Sequence, residues 1–352
     1  MYNVVDLFCG SGGFSEGFKK EGFNMLLGVD NEHHKEITYR SNIKPKYFQK
    51  TDISNLPGWK IREVVKNAPI DVLIGSPPCR DFSPSIRGRC FTLTPTNVRK
   101  SLPEHFMRLV VALEPTWFVM ENVESYFKTI DGEFLARAIR PYGYHVKLHV
   151  LNAVNFGVPQ SRVRGFLIGN NLGIKLNFDQ VPNEPVTLED AIGDLVGMES
   201  STDIEIQLPK PITEYQRSRR CVGNKVWNHY PTKHREDVIA KLEETSPGKS
   251  WAGTTSFQTE GSKFSGAYYR PHYDRPSRTI TSRYDVPTGD GESVHPLLNR
   301  CFTPREAARI QSFDDSFKFY GGKVELRLQI GDAVPPLVSQ AIARTIRLHM
   351  DS

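Results

Sequence analysis

Cys79 closes the pentapeptide Gly75-Ser76-Pro77-Pro78-Cys79, directly after the apolar run Val72-Leu73-Ile74. A thiol on a stiff proline turn at the end of a buried strand is placed for nucleophilic chemistry rather than for packing. A second apolar run, Trp117-Phe118-Val119-Met120, delivers Glu121-Asn122-Val123 to the same strand-end level. Gln160-Ser161-Arg162-Val163-Arg164 then leads into Gly165-Phe166-Leu167-Ile168-Gly169, and strand alternation predicts that Arg162 and Arg164 point to one side. A carboxyl group and two guanidiniums would flank the cysteine.

The elements that position these groups read as alternating strands and helices. Val4-Val5-Asp6-Leu7-Phe8 runs into Cys9-Gly10-Ser11-Gly12-Gly13-Phe14, a strand followed by a glycine turn and the opening of a helix. Such a turn lets backbone N–H groups approach a ligand closely, yet alone it fits a structural turn or any nucleotide site equally well. Met25-Leu26-Leu27-Gly28-Val29 ends on Asp30, at the distance where doubly wound α/β folds set an acid against ribose hydroxyls. Asp52 follows a further strand, in position to meet an adenine amino group. Thr187–Leu195 reads as a capped helix, as does Phe302–Gln311 with Thr303 as cap and Pro304 in its first turn.

The chain has 352 residues, 38% of them hydrophobic, enough for one α/β domain and a smaller one. It shows no bilayer-length apolar window and no signal peptide. Five cysteines, among which Cys90, Cys221 and Cys301 lack metal-ligand spacing, point to a reducing compartment and to no metal site. A net charge of +5 is only mildly basic, so any polyanion must be met by local clusters. Arg217, Arg219, Arg220, Lys225, Lys233 and Arg235 lie among Tyr215, Trp227 and Tyr230 with no acid at those positions, the composition of a surface that follows phosphates. Arg80, Arg87, Arg89, Arg99 and Lys100 form a second set, in a loop-like stretch after Cys79.

The order of these motifs resembles the DNA (cytosine-5)-methyltransferase family of restriction-modification type. The matching segments are Asp6–Phe14, Pro77-Pro78-Cys79, Glu121-Asn122-Val123, Gln160–Arg164, Arg275-Pro276-Ser277-Arg278-Thr279-Ile280-Thr281-Ser282 and Gln329-Ile330-Gly331-Asp332-Ala333-Val334-Pro335-Pro336. The resemblance implies a Rossmann-like, S-adenosylmethionine-dependent domain over residues 1–198. A target-recognition domain would follow at 199–297 and a hinge at 298–324, with 325–352 returning to the first domain. Cys79 would attack C6 of a cytosine flipped out of the duplex while Glu121 engages N3; C5 then takes the methyl group. A free thiol ionises near pH ~8.5, and Arg80 and Arg162 would help to activate it. Burial of Glu121 would let it hold a proton, Arg164 would hold the base's O2, and Asn122 would fix the turn.

For the cofactor, the resemblance implies Phe8, Gly10, Ser11, Gly12 and Gly13 around methionine and ribose, Asp30 on the ribose hydroxyls, and Asp52 with Ile53 at the adenine edge. Pro78, Leu102, Asp332, Ala333 and Val334 would complete that pocket. Asn31 stands where the family has an apolar or aromatic wall, Asp332 where Asn is usual, and Arg80 where Gln is frequent. Arg80, Ser83, Arg87, Arg217, Arg219, Arg220 and Lys225 are the expected contacts to double-stranded DNA. The resemblance further implies a cytoplasmic monomer, without a regulatory segment before the first motif, paired with a restriction endonuclease, solitary or phage-borne. Two alternatives remain open: a tRNA cytosine-5 methyltransferase of the same fold, and a non-catalytic DNA-binding relative. The Cys-Phe-Thr tripeptide associated with the tRNA branch occurs at Cys90-Phe91-Thr92 and Cys301-Phe302-Thr303, neither in the diagnostic context.

Overall fold

Parallel strands in the middle of a sheet need apolar residues on both faces, and four runs of this chain supply them. The computed structural model describes residues 1–78, 102–178, 184–220, 223–251, 267–288 and 291–352, apart from the side chains of Ile130 and Asp131. In it β1 (Asn3–Leu7), β2 (Asn24–Asp30), β3 (Tyr47–Lys50), β4 (Val72–Gly75) and β5 (Trp117–Asn122) run parallel. With β6 (His145–Asn152) and β7 (Val163–Asn170) they form one sheet of order β3-β2-β1-β4-β5-β7-β6, in which β7 is antiparallel to β5. Val72, Leu73, Ile74 and Trp117 to Met120 are all fully buried.

The register matters most for function. Leu7 lies opposite both Val29 and Gly75, and Gly75 opposite Met120, so β2, β1, β4 and β5 end together along one carboxyl edge. Strand order reverses between β1 and β4, the switch point at which open α/β sheets take ligands. Helices α1 (Gly13–Lys20), α2 (His33–Asn42), α3 (Gly58–Val64), α4 (Leu102–Leu113), α5 (Glu124–Phe127) and α6 (Ile130–Ala138) accompany these strands. In α4, Phe106, Leu109, Val110 and Leu113 recur at helical spacing and join Leu73, Phe118 and Met120 in the core. Gly75 permits that packing, because a Cβ there would sit 2.5 Å from Leu7 O and 2.9 Å from the Phe106 ring.

The chain divides into two compact units, one of residues 1–151, 163–179 and 339–352 and another of 152–162 and 180–338. The second contains α7 (Leu188–Ile192), an antiparallel pair β8 (Ile206–Gln207) and β9 (Lys225–Val226), α8 (Glu214–Arg219), α9 (Glu236–Glu243), α10 (Pro304–Ile310) and α11 (Lys323–Gly331). The expected boundary at 198/199 falls inside this unit, because α7 is bonded into it. Thr213 Oγ1 donates to Asp190 O at 2.9 Å and Arg309 Nη1 to Ala191 O at 2.7 Å. Thr187 with Asp190 and Thr303 with Glu306 form reciprocal capping boxes, and Pro304 occupies the first turn of α10. The last helix, α12 (Pro336–Met350), enters the first unit from Ser339, whose hydroxyl donates to Phe14 O. No described helix is long and apolar enough to cross a membrane.

Candidate active site

The turn after β1 is built from unusual backbone angles. Phe8 (φ 57°), Gly10 (φ 54°) and Gly12 (φ 103°) all adopt the left-handed region, and the turn closes through Cys9 N to Val29 O and Gly12 N to Cys9 O, both 3.0 Å. Gly12, the N-cap of α1, has no side chain and so supplies no side-chain cap to the first turn. Among the described residues, no atom lies within 4 Å of where a Cβ on Gly10 would sit, so none of them fills the space over the turn. Asp30, buried at the end of β2, fastens the turn: Oδ2 accepts Gly10 N at 2.9 Å, and Oδ1 accepts Asn31 N at 2.9 Å and Glu32 N at 3.1 Å.

Beneath the turn lies a network that sequence reasoning missed. Asp6 Oδ2 accepts the Ser15 hydroxyl at 2.6 Å, and Ser15 Oγ lies 2.6 Å from Tyr39 Oη. Burial pushes the Asp6 carboxyl up to about 8, against the opposing Ser15 hydrogen bond and with help from the Asp30 charge. An acid inside the apolar run Val4–Phe8 was the available signal.

The remaining expected cofactor residues sit as follows. Asp52 Oδ1 accepts Ser54 N at 2.9 Å and Ser54 Oγ at 2.8 Å, bonds that hold its carboxyl below the usual range. Ile53 is buried, and its carbonyl accepts Arg108 Nη2 at 3.1 Å. Ser11 and Gly13 are buried, Phe8 and Leu102 are half-buried, and Asn31 and Pro78 are exposed. Asp332 caps α11, with Ala333 and Val334 following it in the second unit. Cys79, Arg80, Ser83 and Arg87 lie outside the described residues, as do Cys90 and Cys221.

At the end of β5 the Glu121 carboxylate is buried, and Arg164 Nε lies 3.4 Å from its Oε1. Asn122 turns back on the β4 loop: its Nδ2 donates to Pro77 O at 3.1 Å and its Oδ1 accepts Val123 N at 2.8 Å. The backbone that leads to Cys79 is thereby tied to the strand that carries Glu121. Pairing of Asn122 with Gly165 sets Arg164 beside this edge, and Gly165 leaves room for the Phe127 ring.

Arg162 corrects an expectation. It precedes β7 and does not share the setting of Arg164: its guanidinium is buried in the second unit, donating to Ile280 O at 2.9 Å and Gly331 O at 3.0 Å. Strand alternation fails because the strand starts only at Val163. Neighbouring Gln160 is also structural, with Oε1 accepting Ile280 N at 2.7 Å and Nε2 donating to Gln311 Oε1 at 3.0 Å.

The expected basic surface needs a larger correction. Arg219 and Arg220 are buried, Arg219 pairing with Asp314 at 3.0 Å and Arg220 with Asp194. Lys225 meets Glu205 at 2.7 Å, Arg217 meets Glu214 at 3.0 Å and Arg235 meets Asp237 at 2.8 Å. Acids flanking the stretch, Glu214 and Asp237, and acids from elsewhere in the unit, Asp194, Glu205 and Asp314, pair with most of the cluster, and Arg219 and Arg220 are buried within the unit. Cys301, Phe302 and Thr303 are likewise buried, with Thr303 serving as the α10 cap. Glu199, His229 and Glu306 converge closely enough to suggest a cation site, but Arg300 bridges both carboxylates and His229 bonds to Thr303 Oγ1 and Leu195 O, both at 2.9 Å.

Fold and strand-end site together define a Rossmann-like α/β protein with a glycine turn after β1, an acid at the end of β2 and a carboxylate at the end of β5 beside a proline turn. A family model for C-5 cytosine-specific DNA methylases matches residues 2–348, and the chain belongs to that family as a DNA cytosine-5 methyltransferase. The type II methyltransferase M1.HphI of Haemophilus parahaemolyticus is 34% identical over 347 residues, covering 97% of this chain and 86% of that protein. M.DdeI of Desulfomicrobium norvegicum is 32% identical over 383 residues, covering 99% and 89%. These likenesses make the chain a methyltransferase of restriction-modification type. A DNA modification methyltransferase encoded within an E. coli prophage superposes with a TM-score of 0.81 at 26% identity, covering 100% of both chains. Spodoptera frugiperda DNMT2 shares the fold, with a TM-score of 0.66 at 15% identity over 99% of this chain and 100% of that one.

Proposed function

We propose that the chain methylates C5 of a cytosine extruded from double-stranded DNA, through a covalent bond between Cys79 Sγ and C6. The observation that carries this reading is the Asn122 bond to Pro77 O: it joins the turn leading to Cys79 to the strand that presents Glu121 beside Arg164. The Cys79 thiolate adds to C6 as Glu121 gives a proton or hydrogen bond to N3, which moves the C5–C6 electron pair onto C5. After methylation the C5–H bond breaks, its proton leaving to a base and its electron pair re-forming the C5–C6 double bond, while the C6–S bond breaks to return the thiolate and N3 gives back to Glu121 any proton it received. Arg164 engages O2 of the ring. Arg162 acts at a distance, by holding backbone in place.

S-adenosylmethionine, when bound, supplies the electrophilic methyl group. The residues present fit it: a first turn of α1 without a side-chain cap from Gly12, and no described atom within 4 Å of a Cβ on Gly10, suit a carboxylate-bearing chain, and Asp30 suits a ribose. Asp52, Ile53, Pro78 and Leu102 would take the adenine, while Asp332, Ala333 and Val334 keep their place in the reading on family resemblance. We further propose a monomer that acts beside a cognate restriction endonuclease.

Cys79→Ser should abolish methyl transfer and leave S-adenosylmethionine affinity within about twofold. Duplex DNA carrying 5-fluorocytosine should trap the wild-type chain covalently, because fluorine at C5 cannot leave as a proton. Bisulfite sequencing of a plasmid from expressing cells should show methylcytosine within one recurring word. A fully active Ser variant, or an unmodified plasmid, would remove the reading.

A further inference from the structure

Residues 275–283 hold three arginines, Arg275, Arg278 and Arg283, and no acid. Their backbone forms a strap pinned along one side. Ser277 N donates to Pro159 O at 3.0 Å and Ser277 O accepts Ser161 N at 2.8 Å. Ile280 N donates to Gln160 Oε1 at 2.7 Å, and Ile280 O accepts Arg162 Nη1 at 2.9 Å. Thr279 O accepts Glu292 N at 3.1 Å. Ser277 and Ile280 are buried as a result, while Arg275, Arg278 and Arg283 are exposed.

Two acids near the strap are engaged or masked by burial: burial pushes the Glu292 carboxyl up to about 7, although it feels the Arg278 charge. Asp285 is taken by Arg327 at 3.2 Å and Lys323 at 3.3 Å, and Glu292 is buried, accepting the Arg278 backbone N at 3.1 Å. Asp274 is exposed. Among the described residues none of these guanidiniums forms an ion pair. Arg278 instead lies over the Tyr269 ring, 3.7 Å from its centroid, a contact that orients the group without neutralising it.

We infer that this strap is a phosphate-binding element of the DNA interface, with Arg275, Arg278 and Arg283 each meeting the backbone of the duplex. The inference rests on the DNA substrate proposed above and adds where the second unit holds it. Only cations without internal counter-charges release condensed counterions in full when they meet phosphate. A backbone fixed beforehand loses little freedom on binding. Guanidiniums suit phosphate oxygens because their N–H groups can bind two at once.

The test is the salt dependence of duplex affinity, read by fluorescence anisotropy for the full chain with Arg275, Arg278 and Arg283 all changed to Gln. Loss of three phosphate contacts should reduce the slope of log affinity against log salt by about 2.7 and weaken binding by about 10²-fold near physiological salt. The triple Lys variant should keep most of the slope. Arg137→Ala, an exposed arginine of α6 paired with Glu133, should change nothing. Should the triple variant misfold, Arg278→Gln alone should still lose about 0.9 of the slope. A folded triple Gln variant with wild-type slope and affinity overturns the strap and leaves the methyltransferase reading intact. A wild-type chain that neither binds nor methylates duplex DNA overturns both.

Discussion

Two basic segments of the second unit have similar charge per residue and opposite surroundings. Between 217 and 235 the fold brings Glu214, Asp314, Asp194, Glu205 and Asp237 to Arg217, Arg219, Arg220, Lys225 and Arg235. Between 275 and 283 it brings backbone acceptors to the strap's interior side and leaves the guanidiniums outside. Local charge density therefore does not identify a polyanion surface. What matters is whether the fold spends that charge internally, since a buried, paired arginine has no counterions to release.

The largest expected effect belongs to Arg220→Ala. Arg220 pairs with Asp194, which also binds Arg309 at 3.1 Å, and Arg309 in turn holds Asp315 at 2.6 Å, all of them buried. Removing one cation leaves a carboxylate uncompensated in that cluster, which should cost about 3–5 kcal/mol in denaturant unfolding. DNA affinity measured on the fraction that stays folded should hold its salt slope. Unchanged stability with a shallower slope would reverse the comparison.

The same contrast recurs inside one motif, two residues apart. Arg162→Ala strips its donor from Ile280 O and one of two donors from Gly331 O, which keeps Gln311 Nε2 at 3.4 Å, and should destabilise by roughly 1–3 kcal/mol. Arg164→Ala touches Glu121 instead, and should leave the unfolding midpoint nearly unchanged while kcat falls by about 10²-fold, as when a donor aimed at developing charge is lost. Equal stability losses in the two variants, with no separate loss in kcat, would mean that both arginines are structural.

These contrasts show what the sequence carries. The carboxyl-edge residues were legible because each depends on a local pattern: an apolar run followed by a glycine turn, an acid or a proline pair. Thr303, Pro304 and Glu306 announced α10 for the same reason. The partners of Arg219 and Arg220 were not legible, since Asp194 and Asp314 lie far along the chain and only tertiary packing brings them in. Strand alternation misdirected the placing of Arg162 because its acceptors, at 280 and 331, are backbone carbonyls, which carry no side-chain signature. The unit boundary escaped likewise: residues 152–162 join 180–338 through hydrogen bonds that no composition shift marks.

Arg217→Ala should have the smallest effect, and it tests the rule most sharply. Unlike Arg219 and Arg220 this side chain is 52% exposed, and what holds it is Glu214 at 3.0 Å, one turn earlier in α8, with a bond from Nη1 to Ile212 O at 3.2 Å. Exposed pairs of this kind contribute under about 1 kcal/mol, so the unfolding midpoint should barely move. If pairing decides what is available to phosphate, the salt slope should also stay at its wild-type value. If it drops by about 0.9 instead, DNA has opened the pair to recruit Arg217, and exposure rather than pairing marks the interface. Glu214→Gln separates the two readings further: with its internal partner neutralised, Arg217 should begin to contribute to the slope only if pairing was what withheld it.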